Sequence, residues 1–172
     1  MTTTANKITI GRIVLVPLFL LLAYLNCRTA SFIVYVAACL SDFADGYIAR
    51  NFNQTSNFGK FMDPLADKML VISAMCYFTE LLRMPGWVVA VVCLREFAVA
   101  GLRMLAAEEK KVIAAGKSGK FKTVISMVGL GAMIVFNNSI LDKIVWILIL
   151  TTTIISGVEY FINNKNVLKE DK

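Results

Sequence analysis

Apolar residues arrive along this chain in long runs rather than in short alternating patches. Six stretches, approximately 8–25, 31–50, 60–82, 86–107, 121–138 and 140–162, approach the ~20 residues that a helix needs to cross a bilayer. Polar punctuation separates them: Asn51–Asn57, the basic segment Glu108–Lys122, and the tail after Asn163. Met84-Pro85-Gly86 reads as a short extracytoplasmic hairpin. Lipid offers no partners to backbone N–H and C=O groups, so each run must satisfy its own as a helix. The pattern therefore predicts an all-α fold: one integral membrane domain over residues 1–172, built as a compact bundle of six transmembrane helices. The first run is not expected to be a cleavable signal, because Arg12 and Pro17 interrupt it and no small-residue cleavage site follows.

Composition strengthens this reading. Of the 172 residues, 58% are hydrophobic and 17% charged, and the mean hydropathy is +0.68. A water-soluble domain of that size has no way to hide so much apolar surface. Lys and Arg then give the orientation. With the amino terminus in the cytoplasm, that side carries Lys7, Arg50, Lys60, Lys110, Lys111, Lys117, Lys120, Lys122, Lys165, Lys169 and Lys172. The other side carries only Arg28, Arg83 and Lys143, so both termini are expected to be cytoplasmic.

Two further features narrow the chemistry. The chain contains no histidine, which removes Ser-His-Asp triads, His-ligated zinc and phosphohistidine intermediates. Its four cysteines, Cys27, Cys39, Cys76 and Cys93, form no C-x-x-C pair and read as small buried hydrophobes. Among ordinary features, Trp87 and Tyr160 suit interfacial anchoring. Gly129 and Gly131 suit close helix packing.

The second and third runs depart from ordinary membrane helices. The second ends Ser41-Asp42-Phe43-Ala44-Asp45-Gly46-Tyr47-Ile48-Ala49-Arg50, and the third begins Gly59-Lys60-Phe61-Met62-Asp63-Pro64-Leu65-Ala66-Asp67-Lys68. Asp42 and Asp45 share a helix face, as do Asp63 and Asp67. Asp42 lies eight residues before Arg50, and Asp67 eight after Gly59, which puts both ~12 Å inside their helix ends. An antiparallel pairing of the two runs brings all four carboxylates to matching depth. Each Asp in a bilayer span costs about 2.5–3.5 kcal/mol on insertion scales, so four approach ~10 kcal/mol. Clustered carboxylates must share protons or bind cations. An all-oxygen donor set suits hard ions such as Mg²⁺ or Mn²⁺.

The string Asp42-x2-Asp45-Gly46-x2-Ala49-Arg50-x8-Gly59-x3-Asp63-x3-Asp67 resembles the motif of the CDP-alcohol phosphotransferases, with every fixed position filled. The resemblance implies that Asp42, Asp45 and Asp63 hold one or two divalent ions against a CDP diphosphate, with Asp67 also able to reach metal. It implies that Asp67 is the catalytic base for the acceptor hydroxyl, that Arg50 pairs with the diphosphate, and that Asp45, Gly46, Ala49 and Gly59 line the nucleotide site. Arg's planar fork suits phosphate oxygens, and small residues permit close approach.

Acceptor choice rests on the second half of the chain. Arg95-Glu96-Phe97 with Gly101-x-Arg103, then Ala114-x-Gly116-Lys117 and Gly119-Lys120-x-Lys122-Thr123, resembles those bacterial members of the family that use sn-glycerol 3-phosphate. So does the opening Asn6-x2-Thr9-x2-Arg12-x4-Pro17, whose intervals of three place Asn6, Thr9 and Arg12 near one cytoplasmic helix edge, and the resemblance implies that this edge lines the nucleotide pocket. Arg103 and Lys120, then Arg95, Lys117 and Lys122, are the candidates for the acceptor phosphate. A plainer reading pairs Arg95 with Glu96 and leaves the lysines to anchor on anionic headgroups. The expected partners are CDP-diacylglycerol, sn-glycerol 3-phosphate and membrane lipid, with no nucleic acid. The expected products are phosphatidylglycerol phosphate and CMP. The family leaves room for a homodimer, but no sequence feature marks its interface. Serine or inositol phosphate as acceptor is the alternative within the same chemistry. A divalent-cation transporter is the alternative outside it, and is disfavoured because Glu80 and Asp142, near the far surface, read as isolated.

Overall fold

The computed structural model describes the backbone of residues 4–52, 57–108 and 116–165, and the side chains of 10–41, 68–106, 116 and 118–165. Six helices occupy the described backbone: α1 (Thr4–Tyr24), α2 (Arg28–Phe52), α3 (Asn57–Glu80), α4 (Gly86–Glu108), α5 (Lys117–Val135) and α6 (Ser139–Asn163). Each matches one apolar run, so the all-helical expectation holds. The helices outrun the hydropathy at several ends. α1 starts at Thr4, four residues before its apolar run, because a helix continues through a polar turn that hydropathy does not register. Conversely, α5 stops at Val135, where Phe136 turns extended (φ −104°, ψ 127°).

α1 packs along both α2 and α3, while α5 packs on α6 and α2, and α4 on α6 and α3. Where described, α2 and α3 touch each other sparingly. The main core is apolar, with Phe19, Ala74, Phe78, Val88, Leu130 and Ile149 buried within it, and a smaller cluster gathers Val99, Leu102 and Tyr160. Three tyrosines stitch helices through their hydroxyls. Tyr35 on α2 donates to the Met127 carbonyl (3.1 Å), Tyr77 on α3 to the Ala23 carbonyl (3.1 Å), and Tyr24 to the Glu80 carboxylate. Gly129 meets Val145 so closely that an added Cβ falls 2.8 Å from its Cγ1, and Gly131 faces Tyr35, as their close-packing role requires.

The turns are tight. Leu82, at the end of α3, takes the left-handed conformation (φ 57°), and the chain there is held by Leu82 N–H to Thr79 O and Arg83 N–H to Phe78 O. Asn138 caps α6 by accepting from the Ile140 and Leu141 amides.

Two expectations need correction. Asp142 and Glu80 are not isolated. Asp142 is buried and takes a two-pronged ion pair from Arg83 (Nε 2.8 Å, Nη2 2.7 Å), while Glu80 accepts from Tyr24. The turns following α3 and α5 meet at the same end of the bundle, which brings these distant residues together. Nor do all the cysteines sit inside: Cys27 and Cys76 are exposed, while Cys93 is half-buried and Cys39, also half-buried, packs against the core.

Among the described residues, Ser118–Val135 and Ser139–Asn163 are long and apolar enough to cross a membrane. Ile10–Tyr24 and Arg28–Ser41 are shorter apolar stretches. Large hydrophobic side chains, including Val14, Ile33, Leu94, Phe97 and Val128, face outwards on α1, α2, α4 and α5.

Candidate active site

Both halves of the aspartate motif lie on continuous helix. Asp42, Asp45, Gly46, Ala49 and Arg50 fall in the later part of α2, and Gly59, Asp63 and Asp67 in the first half of α3. Asn6 and Thr9 lie near the start of α1, and Lys117 opens α5. The side chains of these eleven residues lie outside the described ones. Their helical placement preserves the three- and four-residue spacings that put each aspartate pair on one face. As a donor set, four carboxylates on two helices fit hard divalent ions, which favour oxygen.

The described structure begins at the residues that border this motif. Ser41, immediately before Asp42, takes a hydrogen bond from Arg12 Nε (3.2 Å), and its own hydroxyl donates to the Ala38 carbonyl (2.7 Å). Among the described residues, Arg12 is the largest fully buried side chain, at 1% exposure. A guanidinium so placed requires hydrogen-bond acceptors around it. It ties α1 to α2 one residue from the first aspartate.

On the α3 side the bordering residue is Lys68, next to Asp67. Its ammonium faces Glu96 Oε2 at 3.8 Å. Glu96, on α4, is buried and collects two more cations. Arg95 Nη1 donates to Oε1 at 2.9 Å, and Lys122 Nζ, from α5, donates to the same oxygen. Three helices thus meet at one carboxylate. A buried carboxylate is costly unless paired and hydrogen-bonded, and this one is both.

Two glycines also face Arg95. A Cβ on Gly157 of α6 lies 3.1 Å from Arg95 Cγ, and one on Gly119 lies 3.7 Å from Nη2. The guanidinium therefore runs through a slot that side chains would narrow. Its Nε is buried and makes no hydrogen bond.

Of the other acceptor candidates, Arg103 donates from Nε to the Tyr160 hydroxyl (3.1 Å), with its guanidinium carbon 5.5 Å from the ring centre. Tyr160 is buried, so it supports Arg103 rather than anchoring at an interface. Trp87 is half exposed and meets Trp146 edge-on, with ring centres 6.0 Å apart. Lys120 is exposed at the start of α5, and Gly116 sits extended at its cap.

The structure therefore gathers Arg95 and Lys122 at Glu96, adds Lys68, and leaves Arg103 and Lys120 apart from that group. The pairing of Arg95 with Glu96 agrees with the plainer reading of those two residues. The sequence reading gave no role to Lys68 or Ser41. Their signal was positional: each flanks an aspartate, and a lysine inside an apolar run needs a partner.

The chain belongs to the CDP-alcohol phosphatidyltransferase family, whose profile matches residues 2–158. Its relatives include a protein of Bacillus subtilis named CDP-diacylglycerol–glycerol-3-phosphate 3-phosphatidyltransferase, 36% identical over 95% of this chain and 96% of the relative. A Rickettsia typhi protein of the same name is 37% identical over 91% of this chain and 93% of its own length. A probable phosphatidylglycerophosphate synthase of Mycobacterium tuberculosis is 34% identical over 91% and 78%.

Proposed function

We propose that this protein transfers a phosphatidyl group from CDP-diacylglycerol to sn-glycerol 3-phosphate, releasing CMP and leaving phosphatidylglycerol phosphate in the membrane. One observation carries the acceptor assignment. Lys68, one residue from Asp67, reaches the same Glu96 carboxylate as Arg95 and Lys122, so a cation-rich group borders the aspartate motif. An acceptor that carries a phosphate has a reason to bind there; an uncharged alcohol has none. The names of the relatives agree with this choice.

In this reading Asp42, Asp45 and Asp63 hold one or two Mg²⁺ or Mn²⁺ ions, and Asp67 reaches them as well. When bound, such ions neutralise and orient the diphosphate. Asn6, Thr9, Asp45, Gly46, Ala49, Arg50 and Gly59 hold the CDP moiety. Asp67 takes the proton from the acceptor hydroxyl as its oxygen attacks the lipid-bearing phosphorus, and the bond to CMP breaks. Arg103, Lys120, Arg95, Lys117 and Lys122 receive the acceptor phosphate.

The outward-facing hydrophobic side chains and the lysine asymmetry support six membrane-crossing helices with both termini, and the aspartates, towards the cytoplasm. CMP release by the purified protein tests the assignment directly, with sn-glycerol 3-phosphate, inositol phosphate and serine compared as acceptors. Release is expected with glycerol 3-phosphate. Release with serine alone removes the acceptor assignment and keeps the chemistry, while release with none removes both.

A further inference from the structure

We infer that Glu96 is a positioning residue for the acceptor: it fixes Arg95, Lys122 and Lys68 in the arrangement that receives a phosphate monoester, without touching that ligand itself. The inference rests on the acceptor reading above. Its ground is the sharing of one carboxylate. Oε1 accepts from both Arg95 and Lys122, and Oε2 faces Lys68, so cations from α3, α4 and α5 are drawn to one point. Like charges do not gather unaided, and Glu96 is the anion that gathers them.

The donors left over point the same way. Arg95 offers five N–H groups and uses one on Glu96, while its Nε–H is buried without a partner. Lys122 is buried and, among the described residues, has one acceptor for three N–H bonds. Saturated counterions leave no such surplus. Glu96 is itself unsuited to meet phosphate, because the two are both anionic. Its contribution is therefore geometric, and the close approach of Gly157 to the aliphatic stem of Arg95 leaves that stem little room on the α6 side.

A carboxylate that only balances buried charge differs measurably from one that sets position. Glu96→Asp keeps the charge and withdraws it by one methylene. For this variant we expect an unchanged thermal midpoint and a KM for sn-glycerol 3-phosphate raised about tenfold, the scale of one weakened charged hydrogen bond. The KM for CDP-diacylglycerol should stay within about twofold. Glu96→Gln should raise the acceptor KM further and lower the midpoint as well. Should Glu96→Asp fail to accumulate, Gly157→Ala serves instead, since its Cβ presses on Arg95 without altering any charge. It should give the same acceptor-selective rise.

A wild-type acceptor KM in Glu96→Asp, or an equal rise for both substrates, overturns the inference while leaving the reaction intact. Wild-type protein that does not use sn-glycerol 3-phosphate overturns the acceptor reading and this inference with it.

Discussion

Arg83 illustrates what a charged side chain demands when it leaves water. It gives Asp142 two hydrogen bonds, gives the Phe136 carbonyl a third (2.7 Å), and lies over the Phe78 ring at 5.0 Å. Removing it strands a buried carboxylate. Arg83→Met should therefore lower stability by about 3 kcal/mol or more, read as thermal or denaturant unfolding in detergent. Adding Asp142→Asn should recover most of the loss, because no buried charge is then left alone. An Arg83→Met protein as stable as wild type contradicts the account of this pair. The same demand operates at Glu96 and at Arg12, but those groups border the aspartate motif. On the proposed function, the placement of charge there serves chemistry as well as stability.

At the scale of elements, hydropathy told most of the story. Six apolar runs became six helices, since a helix satisfies its backbone groups within the run itself. The motif residues could be placed on α2 and α3 from spacing alone. What could not be read was which helix faces which. A helical repeat reports the face that one element buries, not the neighbour that covers it. Lys68 and Glu96 lie on different helices, as do Glu96 and Lys122, and only packing brings them together. Asp142 read as isolated for the same reason, and Tyr160 read as an interfacial anchor because its partner, Arg103, sits on α4 while it sits on α6. Gly157 gave no signal at all; its importance lies in the Arg95 side chain that passes over it.

For the whole molecule, the proposal orients the bundle in the membrane. Cys27 lies exposed at the turn between α1 and α2, which the lysine asymmetry assigns to the extracytoplasmic side. Lys165, exposed after α6, belongs on the opposite side. In right-side-out vesicles an impermeant maleimide should label Cys27. A Lys165→Cys variant lacking Cys27 and Cys76 should react only after permeabilisation. The reverse pattern contradicts the orientation and moves the aspartates away from cytoplasmic substrates. With the orientation as proposed, the molecule is a lipid-embedded bundle whose charged groups gather where α2, α3, α4 and α5 carry the motif and its neighbours. On the proposed reading the acidic motif serves the CDP diphosphate and the basic group the acceptor phosphate, so opposite substrate needs are met by adjacent residues.

The most direct test of this account follows label from sn-glycerol 3-phosphate into lipid, with CDP-diacylglycerol and Mg²⁺ or Mn²⁺ present, in wild type and Asp67→Asn. The account predicts labelled phosphatidylglycerol phosphate in step with CMP from the wild type. It predicts a folded Asp67→Asn variant slower by about 10²–10⁴-fold, the range expected for loss of a general base. Unimpaired transfer by Asp67→Asn contradicts the assigned base, and a wild type that puts no label into lipid contradicts the reaction.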